Sequence, residues 1–164
     1  MSLLRRVTER VARALAILAA LGLLVLVGLL MVDLFGRNLF GFTTTFANEW
    51  SSAVNGAIVL LAAPYAFIKG DHIRVELLDL LRWRRLRCLL VALADLLCLL
   101  IALYFAYAIV AMAWESFVTD RRSTWVMRTP LWIPQAVLGL GAVALALAAL
   151  QRAVATLSGL RRGN

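Results

Sequence analysis

The sequence predicts an all-α membrane protein of four transmembrane helices, and three observations carry that prediction. Hydrophobic residues make up 63% of the 164 positions and charged residues only 16%, where soluble domains run near one half and one quarter. The apolar residues fall into four blocks, at 14–32, 50–68, 88–114 and 131–150, each long enough for a hydrocarbon core that needs roughly 20 residues at 1.5 Å rise. Too little chain lies between the blocks to build a soluble domain, so residues 1–164 read as a single membrane domain.

The first span, 14–32, is bounded by Arg13 and Asp33. It follows Arg5, Arg6, Arg10 and Arg13, as a secretory signal would. It is longer than a signal core of roughly 7 to 15 residues, and "VDLFGRNLF" after it lacks a small-x-small cleavage pattern. We therefore expect an uncleaved helix, followed by a loop, "DLFGRNLFGFTTTFANEW", whose aromatics suit a membrane interface.

The second span, 50–68, has Asn48 placed to cap it and Glu49 near the positive end of the helix dipole. A rival role for Glu49 is a polar contact with a partner, shared with Arg37 and Asn38. Ser51, Ser52, Asn55 and Gly56 occupy the outer half of this span, with Ala57, Ala62 and Ala63 deeper. Lipid tails are as apolar as leucine, so helices associate through small residues and polar side chains. That makes Asn55 a candidate interface residue. Pro64 either bends the helix or is tolerated near its end.

Between the second and third spans lies "IKGDHIRVELLDLLRWRRLR". As a helix over 71–86, it sets Ile73, Leu77, Leu80 and Leu81 on one side and Glu76, Asp79 and Arg82 on the other. It reads as an amphipathic helix lying in the interface, with Arg82, Arg84, Arg85 and Arg87 among lipid phosphates and Trp83 in the aromatic belt. His72, the one histidine of the chain, is expected to be a hydrogen-bonding fixture rather than a catalyst.

The third span, 88–114, would reach about 40 Å, so it must tilt or project. Its one charge, Asp95, is either a functional acid or a structural one, paired or reaching the headgroups. Cys88 and Cys98 fall on different faces and cannot easily bridge; they read as apolar fillers. The connection "WESFVTDRRSTWVMRTPLWIPQ" supplies Trp114, Trp125 and Trp132 as a belt, and Thr129 and Pro130 as a cap and first turn for the last span. Arg121, Arg122 and Arg128 are either solvated or placed to receive an acidic external partner. The fourth span, 131–150, carries alanines at 142, 144, 146, 148 and 149, spaced for close helix approach.

The net charge of +8 is explained by where its arginines and lysines sit. Thirteen fall at the two termini and between the second and third spans: Arg5, Arg6, Arg10, Arg13, Lys69, Arg74, Arg82, Arg84, Arg85, Arg87, Arg152, Arg161 and Arg162. Only Arg37, Arg121, Arg122 and Arg128 fall on the opposite side. Cytoplasmic segments retain Lys and Arg, so both termini are expected to be cytoplasmic (N-in, C-in), with the basic surplus facing anionic lipid. Nucleic acid is not needed to account for it.

Several chemistries lack their residues. Haem needs helix-borne histidines, thiol exchange needs Cys-x-x-Cys, and neither a Walker loop nor a His-Glu-x-x-His site is present. A serine hydrolase would need a histidine within the spans. No catalytic, cofactor or metal residue is expected. A small proton-coupled exporter would carry an acid in its first helix, and this chain has none there. Nor does it show the paired broken helices of an autonomous transporter.

The order of "GRNLFG" after the first span, "NEW" opening the second, then "KGDHIRVELL", and "RTPLWIPQ" opening the fourth resembles the small membrane subunit of tripartite ATP-independent periplasmic (TRAP) transporters, the DctQ-like family, over nearly the whole chain. The resemblance implies an inner-membrane accessory subunit that is not an enzyme. Its partners would be a large multispanning membrane subunit, which it braces, and a periplasmic substrate-binding protein, which it helps to dock during sodium-coupled uptake of an organic acid. It implies contacts with the large subunit at Arg37, Asn38, Glu49 and Trp50 on the outer side, and at Lys69, Asp71, His72, Ile73 and Val75 on the inner side. Glu76 and Asp95 receive no role from it. Two other readings of the residues stay open: a self-sufficient homodimeric proton-coupled transporter using Asp95, and an anchor unrelated to transport.

Overall fold

A computed structural model describes residues 2–41, 45–69, 84–123 and 128–162. The described residues form four helices: α1 (Ser2–Phe40), α2 (Thr45–Lys69), α3 (Arg84–Val118) and α4 (Trp132–Arg162). All four contain stretches long and apolar enough to cross a membrane. The interfacial helix expected over 71–86 lies outside the described residues as far as position 83. Positions 84–86 belong to α3.

Every helix outruns its apolar block. α1 has 39 residues, about 58 Å of helix against a core of about 30 Å. Hydropathy marks where the oil ends, whereas a helix stops only where its backbone is turned or deprived of a donor. The flank "DLFGRNLF" contains no proline, so α1 continues through it. Arg37 and Asn38 consequently ride the last turn of α1 rather than a loop. The turn comes at Gly41, whose φ of +69° suits a residue without a Cβ. α2 likewise starts before its expected cap: Asn48 and Glu49 lie inside a helix that begins at Thr45. Pro64 sits within α2 and is fully buried, and the helix continues on both sides of it.

α3 ends in a Schellman arrangement. Asp120 takes the left-handed conformation at φ +45°, its N–H bonds the Phe117 carbonyl at 3.4 Å, and the Arg121 N–H reaches back to the Ser116 carbonyl at 3.1 Å. The chain then makes a short antiparallel turn-back: Arg122 bridges Pro130, the Ser123 N–H donates to the Thr129 carbonyl at 2.9 Å, and the Leu131 N–H to the Arg121 carbonyl at 3.1 Å. Thr129 and Pro130 are thus part of the bridge and not the cap and first turn of α4. That helix starts at Trp132, with Pro134 in its first turn, where proline forfeits no helical bond.

The packing pairs define the topology. Gly22 meets Ile58, and Leu15 and Ala19 cluster with Leu61, so α1 and α2 run antiparallel. Gly56 meets Leu138 and Gly141 meets Leu60, so α2 and α4 run parallel. Gly139 meets Ile109 and Val110, while Ala102 and Ala106 pack on Ala142, Ala146 and Ala149, so α3 and α4 are antiparallel. The helices stand in the order α1, α2, α4, α3, with α4 also brushing α1. Both described termini are therefore at one end and the α1–α2 and α3–α4 connections at the other.

Among the described glycines, Gly141 at the α2–α4 crossing makes the closest approach to a neighbouring helix. A Cβ added at Gly141 would lie 2.7 Å from the backbone carbon and oxygen of Leu60, closer than real Cβ atoms come. Around it Ala142, Ala144, Ala146, Ala148, Ala149 and Ala153 are all buried. The expected alanine spacing on the fourth span is thus the core of the fold, and Gly141 is a point of close backbone approach within it.

Candidate functional site

Among the described residues, two polar clusters and one polar stripe within the helical bundle bear on function. The first is at the end that carries the termini. Asp95 sits well inside α3 and is only 5% exposed. Its Oδ1 lies 2.9 Å from Arg152 Nε, and its Oδ2 accepts a 2.6 Å hydrogen bond from the Thr156 hydroxyl. The Arg152 guanidinium in turn lies 5.1 Å over the ring of Phe67 on α2, a cation–π distance. Three helices are joined through one carboxylate and one guanidinium.

Equal depth makes this possible. Asp95 lies eleven positions into α3 and Arg152 ten positions before the end of α4, so antiparallel helices bring them level. An unpaired charge at that depth would be costly; the pair, with Thr156 and the ring, supplies most of what water would. Both Asp95 oxygens are engaged, which supports the structural reading of this acid over a proton-carrying one. Arg152 and Thr156 were not singled out by the sequence, although a lone acid within a span invites a search for the basic residue at matching depth.

The second cluster is at the opposite end, on the α3–α4 connection. Arg121 Nη2 lies 2.6 Å from Glu115 Oε1, and Arg122 holds Asp120 Oδ2 through Nη2 at 3.1 Å and Nε at 3.3 Å. In a Schellman motif the residue after the left-handed one commonly makes an apolar contact with the last turn; here an ion pair takes that place. Arg121 and Arg122 are exposed but locally neutralised, each worth at most about 1 kcal/mol as a surface pair. Arg128 is exposed, at φ +47°. Phe117 stacks edge-on against Trp132 at 5.5 Å and lies 6.2 Å from Trp114, so two of the belt tryptophans share a cluster.

The stripe is on α2. Ser52, Asn55 and Val59 are its exposed residues within the span, three and seven positions apart and so on one face. Asn55 thus turns an amide outward from the bundle, five positions into the stretch Trp50–Lys69 that is long and apolar enough to cross a membrane. Among the other expected contact residues, Arg37 and Asn38 are exposed and Trp50 is half-buried; all three are at the same end as Arg121, Arg122 and Arg128. Asp71, His72, Ile73, Val75 and Arg82 lie outside the described residues, as do the side chains of Glu49, Arg84, Arg85 and Arg87.

No curated protein matches the chain. Residues 26–159 match the family model described as tripartite ATP-independent periplasmic transporters, DctQ component. That match takes in α2, α3, both polar clusters and nearly all of α4, and on these grounds the chain belongs to the DctQ family: it is an integral membrane protein and a small component of a TRAP transporter.

Proposed function

We propose that the chain is the accessory subunit that braces the large transport subunit in the inner membrane, with both termini cytoplasmic, and helps dock the periplasmic substrate-binding protein during sodium-coupled uptake of an organic acid. The family match over residues 26–159 carries this reading, because membership in a tripartite transporter calls for a large membrane partner and a binding protein. The α2 stripe supports it. An outward amide at Asn55 suits a neighbouring transmembrane helix far better than lipid. Arg37, Asn38, Glu49, Trp50, Asp71 and His72 complete the proposed contact with that subunit. Arg121, Arg122 and Arg128 form the proposed docking surface, with Arg128 its least compensated charge. Arg82, Arg84, Arg85 and Arg87 are proposed to meet lipid headgroups.

The engagement of both Asp95 oxygens weighs against a self-sufficient proton-coupled transporter. The test is purification from native membrane in mild detergent through a tag on this chain. A second, multispanning protein is expected in stoichiometric amount, and transport in vesicles supplied with the substrate-binding protein is expected only when both are present. Recovery of this chain alone, or uptake by this chain alone, would overturn the proposal.

A further inference from the structure

The first turns of α1 hold a charged feature that neither the bundle nor the proposed partner contacts use. Arg6, Arg10 and Arg13 are all exposed, and at four and three positions apart they line one side of the helix within roughly 60°. With Glu9 they enclose a shallow cleft of about 180 Å³. The packing side of the same stretch is marked by Ala12, Leu15 and Ala19, all buried. At about 100° per residue, the arginine line is on the opposite side of α1 from that stripe. The cleft therefore opens away from α2 and α4.

Depth points to its occupant. If the apolar block 14–32 fills the hydrocarbon, Arg13 is at its edge, Arg10 about 4.5 Å beyond and Arg6 about 10 Å beyond. Headgroups occupy roughly 5 to 8 Å on each side of a bilayer, so the cleft spans that layer. Directly above it on the same side run Ile17, Leu21 and Leu24, all more than half exposed, followed by Gly28, which has open space around it. A cationic cradle at phosphate level continues into an apolar track with room for an acyl chain.

We propose that Arg6, Arg10 and Arg13 bind the phosphate of an anionic phospholipid whose acyl chain lies along Ile17, Leu21 and Leu24. Planar guanidinium groups suit a phosphate because they donate two hydrogen bonds in parallel. Three positive charges against one from Glu9 favour an anionic lipid over a zwitterionic one. The site is independent of which subunit covers the α2 stripe.

The test places the full chain in nanodiscs of phosphatidylcholine with a minor fraction of phosphatidylglycerol, then counts retained lipids by native mass spectrometry. The comparison variant is R6A/V7R/R10A/V11R, which keeps the charge count but moves two arginines about 100° round the helix. Phosphatidylglycerol is expected to stay on the unaltered chain and to bind the variant roughly tenfold or more weakly, with excess inorganic phosphate failing to displace it. Equal retention by the variant, or displacement by phosphate alone, overturns the proposal. A photo-crosslinker at Ile17 in the otherwise unaltered chain decides the matter without moving any charge. Within the membrane complex it is expected to capture phosphatidylglycerol; capture of a protein chain, or of phosphatidylcholine alone, overturns the proposal.

Discussion

Asp95 shows what a single residue discloses and what it withholds. Its charge inside an apolar block is visible in the sequence, and so are the two roles open to it. Its partners are not visible, because Thr156 is 61 positions away in the chain and only the antiparallel register of α3 and α4 makes them neighbours. The pair has a definite energetic signature. Removing one member of a buried ion pair leaves the other charge stranded and costs about 3 to 5 kcal/mol, whereas replacing both by apolar groups is often close to neutral. Asp95→Leu and Arg152→Met are each expected to lower the thermal stability of the purified protein sharply, and the two changes together are expected to cost far less than either alone. A double-mutant cycle by thermal unfolding in detergent checks this. Additive losses would mean that the two side chains are not coupled.

At the scale of elements, four blocks of apolar residues located all four helices, and the misreadings were of their ends. Residues 34–40 follow Asp33 and carry Arg37 and Asn38, yet helix continues through them to Phe40. Polarity tells where water begins, and nothing there forces the backbone to turn before Gly41. The cap expected at Thr129 failed for a different reason. Asp120 in the left-handed conformation sends the chain back along itself and commits Pro130 to a bridge with Arg122, a pairing no local pattern announces. The alanine spacing of α4 was legible, but the point of close backbone approach within it was not. Gly141 is that point, and three glycine-to-alanine changes separate packing from propensity. Gly141→Ala must push the Leu60 backbone away and is expected to lower stability by about 1 to 3 kcal/mol. Gly139→Ala meets Val110 at an ordinary 3.5 Å and is expected to be tolerated. Gly28→Ala meets nothing and is expected to be neutral or slightly stabilising, since alanine favours helix by up to about 1 kcal/mol over glycine. Thermal unfolding of the three variants side by side gives the order; a Gly141→Ala variant as stable as Gly28→Ala would mean that α2 and α4 do not cross so closely.

Among the described residues, the helices stand in a row with α4 touching all three others, so α1 and α3 have long apolar sides that no other described helix covers. Lipid can cover those sides at no penalty, which is why apolar exposure alone identifies no partner in a membrane. An outward amide is different. Asn55 is flanked on its face by Ser52 and Val59, and lipid tails give it nothing to bond. Hydrogen bonds between transmembrane helices are worth about 0.6 kcal/mol on average and up to about 1.7 kcal/mol. On the proposed function, Asn55→Leu should therefore weaken association with the large subunit by roughly threefold to twentyfold. The isolated chain makes no use of that amide in its core, so its own unfolding temperature should hold or rise slightly. The two effects can be read separately, association by energy transfer between labelled subunits in a bilayer and stability by unfolding of the chain alone. A variant that loses stability alone while associating normally would show that Asn55 serves the fold, and the interface would have to lie on another side of the row.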